Sequence, residues 1–262
     1  IGGGTPSLLT GNAYVSLLNA VDSLIGLADN CEITLEANPG TVETGRFKEY
    51  VAAGINRISI GVQSMQNDKL KALGRIHGAD EAVYAAQQAH EAGLNSFNLD
   101  LMHGLPGQSL DDALSDLKKV IALNPPHISW YQLTIEANTQ FASKPPILPP
   151  DDTLWDIQEQ GQALLADAGY QQYEISGYAK PGYQCQHNLN YWRFGDYLGI
   201  GCGAHGKVTD AATGNITRTM KVKHPRGYMD LAKPYLFKQW AVEKDDLPFE
   251  YFMNRFRLFE AC

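Results

Sequence analysis

Four polar residues, Glu36, Gln63, Asp100 and Thr134, lie at or near the C-terminal ends of the strands that the sequence predicts. Ligands of α/β enzymes bind at the carboxyl ends of parallel strands, because the loops that follow these ends form the mouth of the site. Carboxylates and amides placed there can hold a small polar ligand. One polar group per strand is also partly what any transition from strand to loop shows, so periodicity alone leaves both interpretations open.

The stretch around Asp100 is the most informative one. Residues 98–109 predict a strand that ends in a glycine- and proline-rich turn before a helix begins. Ser109 is a suitable N-cap, and Asp111 and Asp112 fall in the first turn of that helix, where its dipole stabilises carboxylates. A buried acid paired with a neighbouring donor is the structural alternative for Asp100. The turn at 104–107 favours a ligand site, because glycine lets a ligand approach the backbone closely.

Three further features are candidates for ligand binding. Gly2, Gly3 and Gly4 expose consecutive backbone N–H groups that can hold a zwitterion or a phosphate, although tight turns use glycine as well. Arg75 lies in a break between two helical stretches and can clamp a carboxylate with two hydrogen bonds; a solvated surface arginine is the alternative. His187 lies among aromatic residues, where it can ligate iron, stack on a planar ligand or make an ordinary hydrogen bond.

Other patterns that carry chemistry are weak. Residues 201–206 have the G-x-G-x-x-G spacing of a dinucleotide-binding loop, but 207–215 predict a turn instead of a helix, so we reject that interpretation. The sequence contains no convincing Ser/His/Asp order, H-E-x-x-H or P-loop, and we assign no catalytic residue. The four cysteines have no metal-ligand spacing, so we expect them to be reduced and assign no metal ligand.

The elements that must position these residues alternate along the first half of the chain. Strands are predicted at 32–37, 56–62, 97–102 and 127–135, after a final strand residue at Ile1, with helical patterns at 12–27, 44–53, up to 73, 80–92 and up to 123. This alternation predicts right-handed βαβ crossovers and a parallel sheet or barrel. A proline-rich linker follows, then a helix at 152–168 and a strand at 170–175. We therefore predict a barrel over 1–143 and an α+β extension over 144–262 that covers the barrel mouth.

Composition restricts the class of protein. The chain has 262 residues, 44% of them hydrophobic, and a net charge of −8 with both signs interspersed. This length supports a sizeable core, and the negative charge disfavours nucleic acid or an anionic membrane as the main partner. We find no signal peptide and no apolar run of about 18 residues, which predicts a cytoplasmic protein without a membrane span.

Several motifs together resemble one known family. They are Ile-Gly-Gly-Gly-Thr-Pro at 1–6, Glu-Ala-Asn-Pro-Gly at 36–40, Gly-Ile-Asn-Arg-Ile-Ser-Ile-Gly-Val-Gln-Ser at 54–64 and Asn-Leu-Asp-Leu-Met-His-Gly-Leu-Pro-Gly-Gln at 98–108. Their order and spacing resemble the radical S-adenosylmethionine (SAM) family, and within it the oxygen-independent coproporphyrinogen III oxidase group. The residues at 187–192 and 198–201 are similar to the haem-chaperone branch of that group, and the resemblance covers nearly the whole chain.

The resemblance implies a partial (β/α)6 barrel that holds SAM and a [4Fe–4S] cluster. By the family pattern, the SAM-binding residues are Gly3, Gly4 and Thr5 at the methionine amino group, Gln63 and Arg75 at its carboxylate, Glu36 and Asp100 at the ribose, and the backbone near Thr134 and His205 at the adenosine. The family's C-x3-C-x2-C cluster loop precedes the glycine motif, and this chain starts after it. We therefore expect a fragment that lacks reductive SAM cleavage, with an unpaired barrel edge and poor solubility.

Two functions follow from the resemblance. The first is a haem chaperone that, at full length, carries haem to haem proteins, with His187 as the candidate haem ligand. The second is an oxygen-independent coproporphyrinogen III oxidase that forms protoporphyrinogen IX. His187 and its aromatic neighbours favour the first. A radical SAM enzyme with another substrate is less favoured, and a homodimer is left open.

Overall fold

The computed structural model describes residues 1–41 and 46–260, which form two compact units, Ile1–Gln184 and Cys185–Cys262. The first unit contains α1 (Gly11–Ile25), β1 (Thr34–Ala37), α2 (Arg46–Ala52), β2 (Arg57–Gln63), α3 (Asn67–Ala72), α4 (Ala79–Glu91), β3 (Ser96–His103), α5 (Leu110–Ala122), β4 (His127–Gln132), α6 (Gln140–Ser143), α7 (Asp151–Asp167), β5 (Gln171–Glu174) and β6 (Gly177–Ala179). Short 3₁₀ turns lie at Pro6–Leu8 and Pro39–Thr41. The predicted start of the second helix at residue 44 lies outside the described residues.

One six-stranded sheet organises the first unit, in the order β1-β2-β3-β4-β6-β5. The first four strands are parallel to one another, which confirms the predicted βαβ alternation. The last two are antiparallel, so the sheet is mixed. Ile1 also pairs with the edge of the sheet: its N–H donates to the Thr34 carbonyl, and Glu36 N–H donates to the Ile1 carbonyl.

The two faces of the sheet differ in polarity because side chains alternate along each strand. One face buries apolar residues such as Leu35, Ile58, Leu99 and Ile128 against the helices. Helix α4 contributes only small side chains to this core, namely Ala82, Ala85, Ala86 and Ala89. The other face carries most of the polar residues of the strands. The helices thus fix the strands from one side and leave the polar face for a ligand.

Local sequence explains the ends of the helix that follows the central strand. Ser109 accepts the Asp112 N–H at 3.1 Å, and the Asp112 carboxylate accepts the Ser109 N–H at 3.0 Å. This reciprocal capping box satisfies two N–H groups at the start of α5 and confirms Ser109 as the predicted N-cap. The helix ends at Ala122, before Asn124 with φ of +55° and the prolines at 125 and 126.

The second unit contains α8 (Gln186–Trp192), β7 (His205–Thr209), β8 (Ile216–Lys221), α9 (Pro225–Tyr228), β9 (Leu236–Ala241) and α10 (Leu247–Arg255). Its three strands form an antiparallel sheet, β7-β8-β9. A strand begins at His205, so no helix follows the glycine-rich residues 201–206 as a dinucleotide site would require. Within the described residues, no helix is long and apolar enough to cross a membrane.

The predicted boundary between residues 143 and 144 lies inside the first unit of the structure. Helix α7 packs on α5, and the hairpin of β5 and β6 extends the sheet from β4. The prediction divided the chain at its proline-rich linker, whereas sheet pairing keeps residues up to 184 with the parallel strands.

Candidate functional site

A cavity of about 260 Å³ opens at the carboxyl ends of the parallel strands. It is lined by Gly4, Pro6, Glu36, Ala37, Asn38, Ser59, Gly61, Gln63, Arg75 and Asp100. Five of the predicted site residues, from the glycine loop, three strands and the α3–α4 loop, therefore share one cavity. Side chains from the ends of separate strands thus meet in one cavity, as a ligand site at the mouth of a parallel sheet requires.

The glycine loop lies against the Glu36 carboxylate. Gly3 N–H donates to Glu36 Oε2 at 3.4 Å, and a Cβ on Gly2 would lie 2.6 Å from Oε1 of the same carboxylate. Gly3 and Gly4 have φ values of +81° and +61°, which glycine adopts at little cost. The loop thus favours glycine at positions 3 and 4 for its backbone conformation, whereas a Cβ at position 2 would displace only the exposed end of the Glu36 side chain.

Gln63 has an unusual backbone at the end of β2. Its φ is +69°, and the pairing of β2 with β3 shifts register between Ile60 and Gln63. Such conformations cost free energy and cluster at ligand sites. The side chain is 5% exposed, and its Oε1 accepts the Tyr131 hydroxyl at 2.9 Å. Burial, with the nearby Asp100 charge, raises the pKa of Tyr131 to about 12, so this hydroxyl stays protonated and orients the amide of Gln63.

Asp100 lies in the middle of β3 with both carboxylate oxygens hydrogen-bonded. Asn98 Nδ2 donates to Oδ1 at 2.7 Å, and Ser59 Oγ donates to Oδ2 at 3.1 Å. Burial raises the pKa of Asp100, while hydrogen bonds from Asn98, Ser59 and Ser129 oppose the rise. Asp100 is therefore paired with neighbouring donors, as the alternative interpretation of a buried structural acid expects. The same carboxylate also lines the cavity.

The remaining predicted residues are placed in different ways. Arg75 is exposed between α3 and α4 and lines the cavity. Thr5 precedes the first 3₁₀ turn, and neither it nor Gly3 is among the described lining residues. Thr134 follows β4 and hydrogen-bonds Glu136 at 3.1 Å, also outside that lining.

Two predicted histidines belong to the second unit. His205 begins β7 and is exposed. His187 is exposed on α8, where its ring meets Tyr191 edge-on at 4.8 Å between centroids. Their assignments to the adenosine pocket and to haem stay predictions.

Sequence reasoning missed the residues that support Asp100. Asn98, Ser59 and Ser129 lie on the same polar face of neighbouring strands, with Ser59 opposite Asn98 and Ser129 opposite Asp100 in the register. Tyr131, on β4 as well, supports Gln63 instead. The spacing of two between Asn98 and Asp100 was visible in the sequence and indicates a shared face. The strand register that brings Ser59 and Ser129 beside Asn98 and Asp100 was not visible in the sequence.

The cavity residues fit SAM by the chemistry of their donors and acceptors. Two carboxylates, Glu36 and Asp100, can accept hydrogen bonds from an ammonium group and from ribose hydroxyls, whereas Arg75 and the Gln63 amide can donate to a carboxylate. An iron–sulfur cluster has no such fit, because no group of three or more His, Cys, Asp or Glu side chains in residues 1–41 and 46–260 could hold a metal.

Known proteins resemble this chain over its whole length. The model of the radical SAM superfamily matches residues 1–120. The haem chaperone HemW of Escherichia coli is 67% identical over 262 residues, which are 100% of this chain and 68% of that protein. HemW of Haemophilus influenzae is 64% identical over 261 residues, 100% of this chain and 67% of that protein.

A solved structure shows the same fold. Coproporphyrinogen III oxidase HemN of E. coli, described as a radical SAM enzyme, superposes with a TM-score of 0.82 at 23% identity, over 98% of this chain and 62% of that one. The chain thus spans about two thirds of the length of these relatives. The fold is that of radical SAM proteins. Within that class, the chain belongs to the HemW family.

Proposed function

We propose that this chain is part of a cytoplasmic haem chaperone which, at full length, binds haem, SAM and a [4Fe–4S] cluster and delivers haem to haem proteins. The observation that carries the proposal is the identity of 67% and 64% with two proteins named haem chaperones, over the whole of this chain. The likeness to HemN lies at 23% identity and supports the fold alone, so it does not favour coproporphyrinogen oxidation.

SAM would be held in the cavity at the strand ends. In this proposal Gly3, Gly4 and Thr5 bind the amino group, and Gln63 and Arg75 bind the methionine carboxylate. Glu36 and Asp100, which both line the cavity, bind the ribose. The family resemblance assigns the backbone near Thr134 and near His205 to the adenosine. Bound SAM and the cluster supply one-electron chemistry. The chain's own contribution is to orient the ligand with a strained, buried amide at Gln63 and a fixed carboxylate at Asp100.

Haem would be ligated by His187. This imidazole is exposed on α8, and Tyr191 one turn away holds its ring edge-on, so an iron-ligating nitrogen and an aromatic surface lie side by side. An exposed ligand suits a chaperone, because bound haem must be passed to another protein.

The test is haem binding to the full-length protein. We expect haemin to shift the Soret band of the wild type, and His187→Ala to lose this shift. His224→Ala is the matched control, because His224 is an exposed histidine of the same unit at the start of α9. An unchanged Soret shift in His187→Ala would remove His187 from the proposal.

A second assay separates chaperone from oxidase. Full-length protein with reconstituted cluster is incubated anaerobically with SAM, reductant and coproporphyrinogen III, and the products are resolved by chromatography. We expect no protoporphyrinogen IX and transfer of haem to an apo-haem protein. Formation of protoporphyrinogen IX would overturn the chaperone proposal in favour of oxidation.

A further inference from the structure

A chain of hydrogen bonds runs from the β5–β6 hairpin to Asp100, and its central bond, between His127 and Asn98, is buried. The Tyr173 hydroxyl lies 2.8 Å from His127 Nε2, His127 Nδ1 lies 2.6 Å from Asn98 Oδ1, and Asn98 Nδ2 lies 2.7 Å from Asp100 Oδ1. His127 is 0% exposed and Asn98 is 1% exposed. Four residues on three strands therefore connect the last part of the sheet to the cavity.

When Asp100 is ionised, it fixes the direction of every bond in this chain. An ionised carboxylate can only accept, so the Asn98 atom beside it must be the NH₂ group, and Asn98 Oδ1 must accept. His127 Nδ1 must then carry the proton and donate it. The other ring nitrogen, Nε2, is left as an acceptor, and the Tyr173 hydroxyl must donate to it. The chain thus selects one tautomer of His127.

Two serines complete the network. Ser129 Oγ donates to Asn98 Oδ1 at 3.1 Å, while Asn98 Nδ2 also donates to Ser59 Oγ at 2.8 Å. Ser59 in turn donates to Asp100 Oδ2. A carboxylate has about four lone-pair positions, and the bonds from Asn98 and Ser59 occupy one on each oxygen. Ser129 Oγ lies within reach of both Asn98 Oδ1 and Asp100, and its one proton can serve only one of them. When Ser129 donates to Asn98, one position on each Asp100 oxygen is left, which matches the two hydroxyls of a vicinal diol.

Charge in the surroundings is consistent with this arrangement. The buried Arg57 guanidinium, on the same strand as Ser59, opposes the rise in the pKa of Asp100 that burial causes. Burial, and secondly the charge of Arg57, hold the pKa of His127 well below its ordinary value, so the imidazole is neutral. A neutral His127 is the state that these hydrogen bonds require, and the Arg57 charge favours the ionised form of Asp100 against the effect of burial.

We propose that Tyr173 and His127 are positioning residues which, through Asn98, hold the Asp100 carboxylate in the orientation that accepts both hydroxyls of a ribose. The proposal rests on the function proposed above, in which Asp100 binds the ribose of SAM. It adds that residues outside the cavity, up to 73 positions further along the chain, set the affinity for the diol. Neither His127 nor Tyr173 is among the described lining residues.

The first test measures ligand affinity in the full-length protein. Calorimetry compares 5′-methylthioadenosine, which has the ribose diol, with its 2′,3′-dideoxy analogue. We expect His127→Leu and Tyr173→Phe to bind 5′-methylthioadenosine more weakly, by about tenfold for His127→Leu, and to bind the dideoxy analogue as the wild type does. His127→Asn keeps a donor at the Nδ1 position and restores most of the affinity.

A matched control separates positioning from general stability. Tyr170→Phe removes another buried hydroxyl, which donates to the Pro125 carbonyl at 2.6 Å and is not part of the chain. We expect its affinity for 5′-methylthioadenosine to equal that of the wild type. Equal losses for both ligands in His127→Leu, or a loss in Tyr170→Phe as large as that in Tyr173→Phe, would overturn the proposal.

The second test needs no ligand. Nitrogen NMR of protein labelled with ¹⁵N-histidine reports which ring nitrogen of His127 carries the proton. We expect the Nδ1–H tautomer in the wild type and a mixture of tautomers in Tyr173→Phe, and the Nε2–H tautomer in the wild type would refute the chain. Failure of the wild type to bind SAM, with the Nδ1–H tautomer present, would contradict the proposed function instead of the network.

Discussion

His103 provides a quantitative prediction about acid stability. It lies at the end of β3, 1% exposed, with its ring 4.4 Å from that of Trp130. Its Nδ1 has no hydrogen-bond partner among the described residues. Burial lowers the pKa of His103 to about 4, and a hydrogen bond with Gln158 only partly opposes this. The unfolded chain, with a pKa of about 6.5, therefore binds the proton more strongly.

The sign and size of the effect follow from these two values. Neutral His103 contributes its full stability above about pH 6.5, and this contribution is lost as the pH falls towards 4. By linkage, the free energy of unfolding decreases by about 2 kcal/mol between pH 7 and pH 5, and by about 3 kcal/mol at pH 4. Other groups that titrate in this range add to the total change, so the prediction concerns the difference between variants.

The perturbation is replacement of His103 by residues that do not titrate. His103→Gln keeps polarity and His103→Met does not, so the two differ in stability at pH 7 for reasons of packing. Both variants should lack the pH-dependent contribution that His103 makes to the free energy of unfolding. Urea unfolding followed by circular dichroism should show each variant gaining about 2 kcal/mol on the wild type between pH 7 and pH 5. Curves that run parallel to the wild type would refute the burial argument.

Two further substitutions test packing and capping. Gly161 packs against the Trp130 indole, and a Cβ on Gly161 would lie 2.6 Å from Cζ2 of that ring. We therefore expect Gly161→Ala to lower the free energy of unfolding by about 1–3 kcal/mol. Adding Trp130→Phe to this variant should recover part of the loss. Denaturant midpoints measure this, and an unchanged midpoint would contradict the packing. Ser109→Ala should lower the free energy of unfolding by about 1 kcal/mol, and Ser109→Asp should lower it much less, because Asp can also cap the helix. Equal losses for the two variants in urea unfolding would rule out the capping role of Ser109.

The parallel half of the sheet could be predicted from the sequence because turn residues separate its strands and helices at regular intervals. Each of the four strands combines buried apolar residues with a turn after its end, and helical patterns separate the strands. The hairpin that completes the sheet could not be placed. β6 has three residues, Gly177–Ala179, too few to show a period. Only two residues, Ile175 and Ser176, separate it from β5, and so short a connection requires antiparallel strands.

The site divides in the same way. Glu36 and Gln63 could be found because each lies at or near the end of a predicted strand. Asp100 was found by the same rule, although β3 continues past it to His103. The positive φ of Gln63 could not be predicted, since nothing in its neighbours requires a register shift there. The support of Asp100 by Ser59 depends on which residues of two strands face each other, and that requires coordinates.

The β5–β6 hairpin also has a consequence for the protein during its synthesis on the ribosome. His127 and Tyr173 are 46 residues apart in sequence. At a synthesis rate of roughly 5–20 residues per second, the fourth strand waits about 2–9 seconds for its hydroxyl donor. Until then the nascent sheet carries an imidazole whose acceptor nitrogen must be satisfied by water. We expect the nascent domain to bind a nucleoside more weakly until this hairpin has been synthesised.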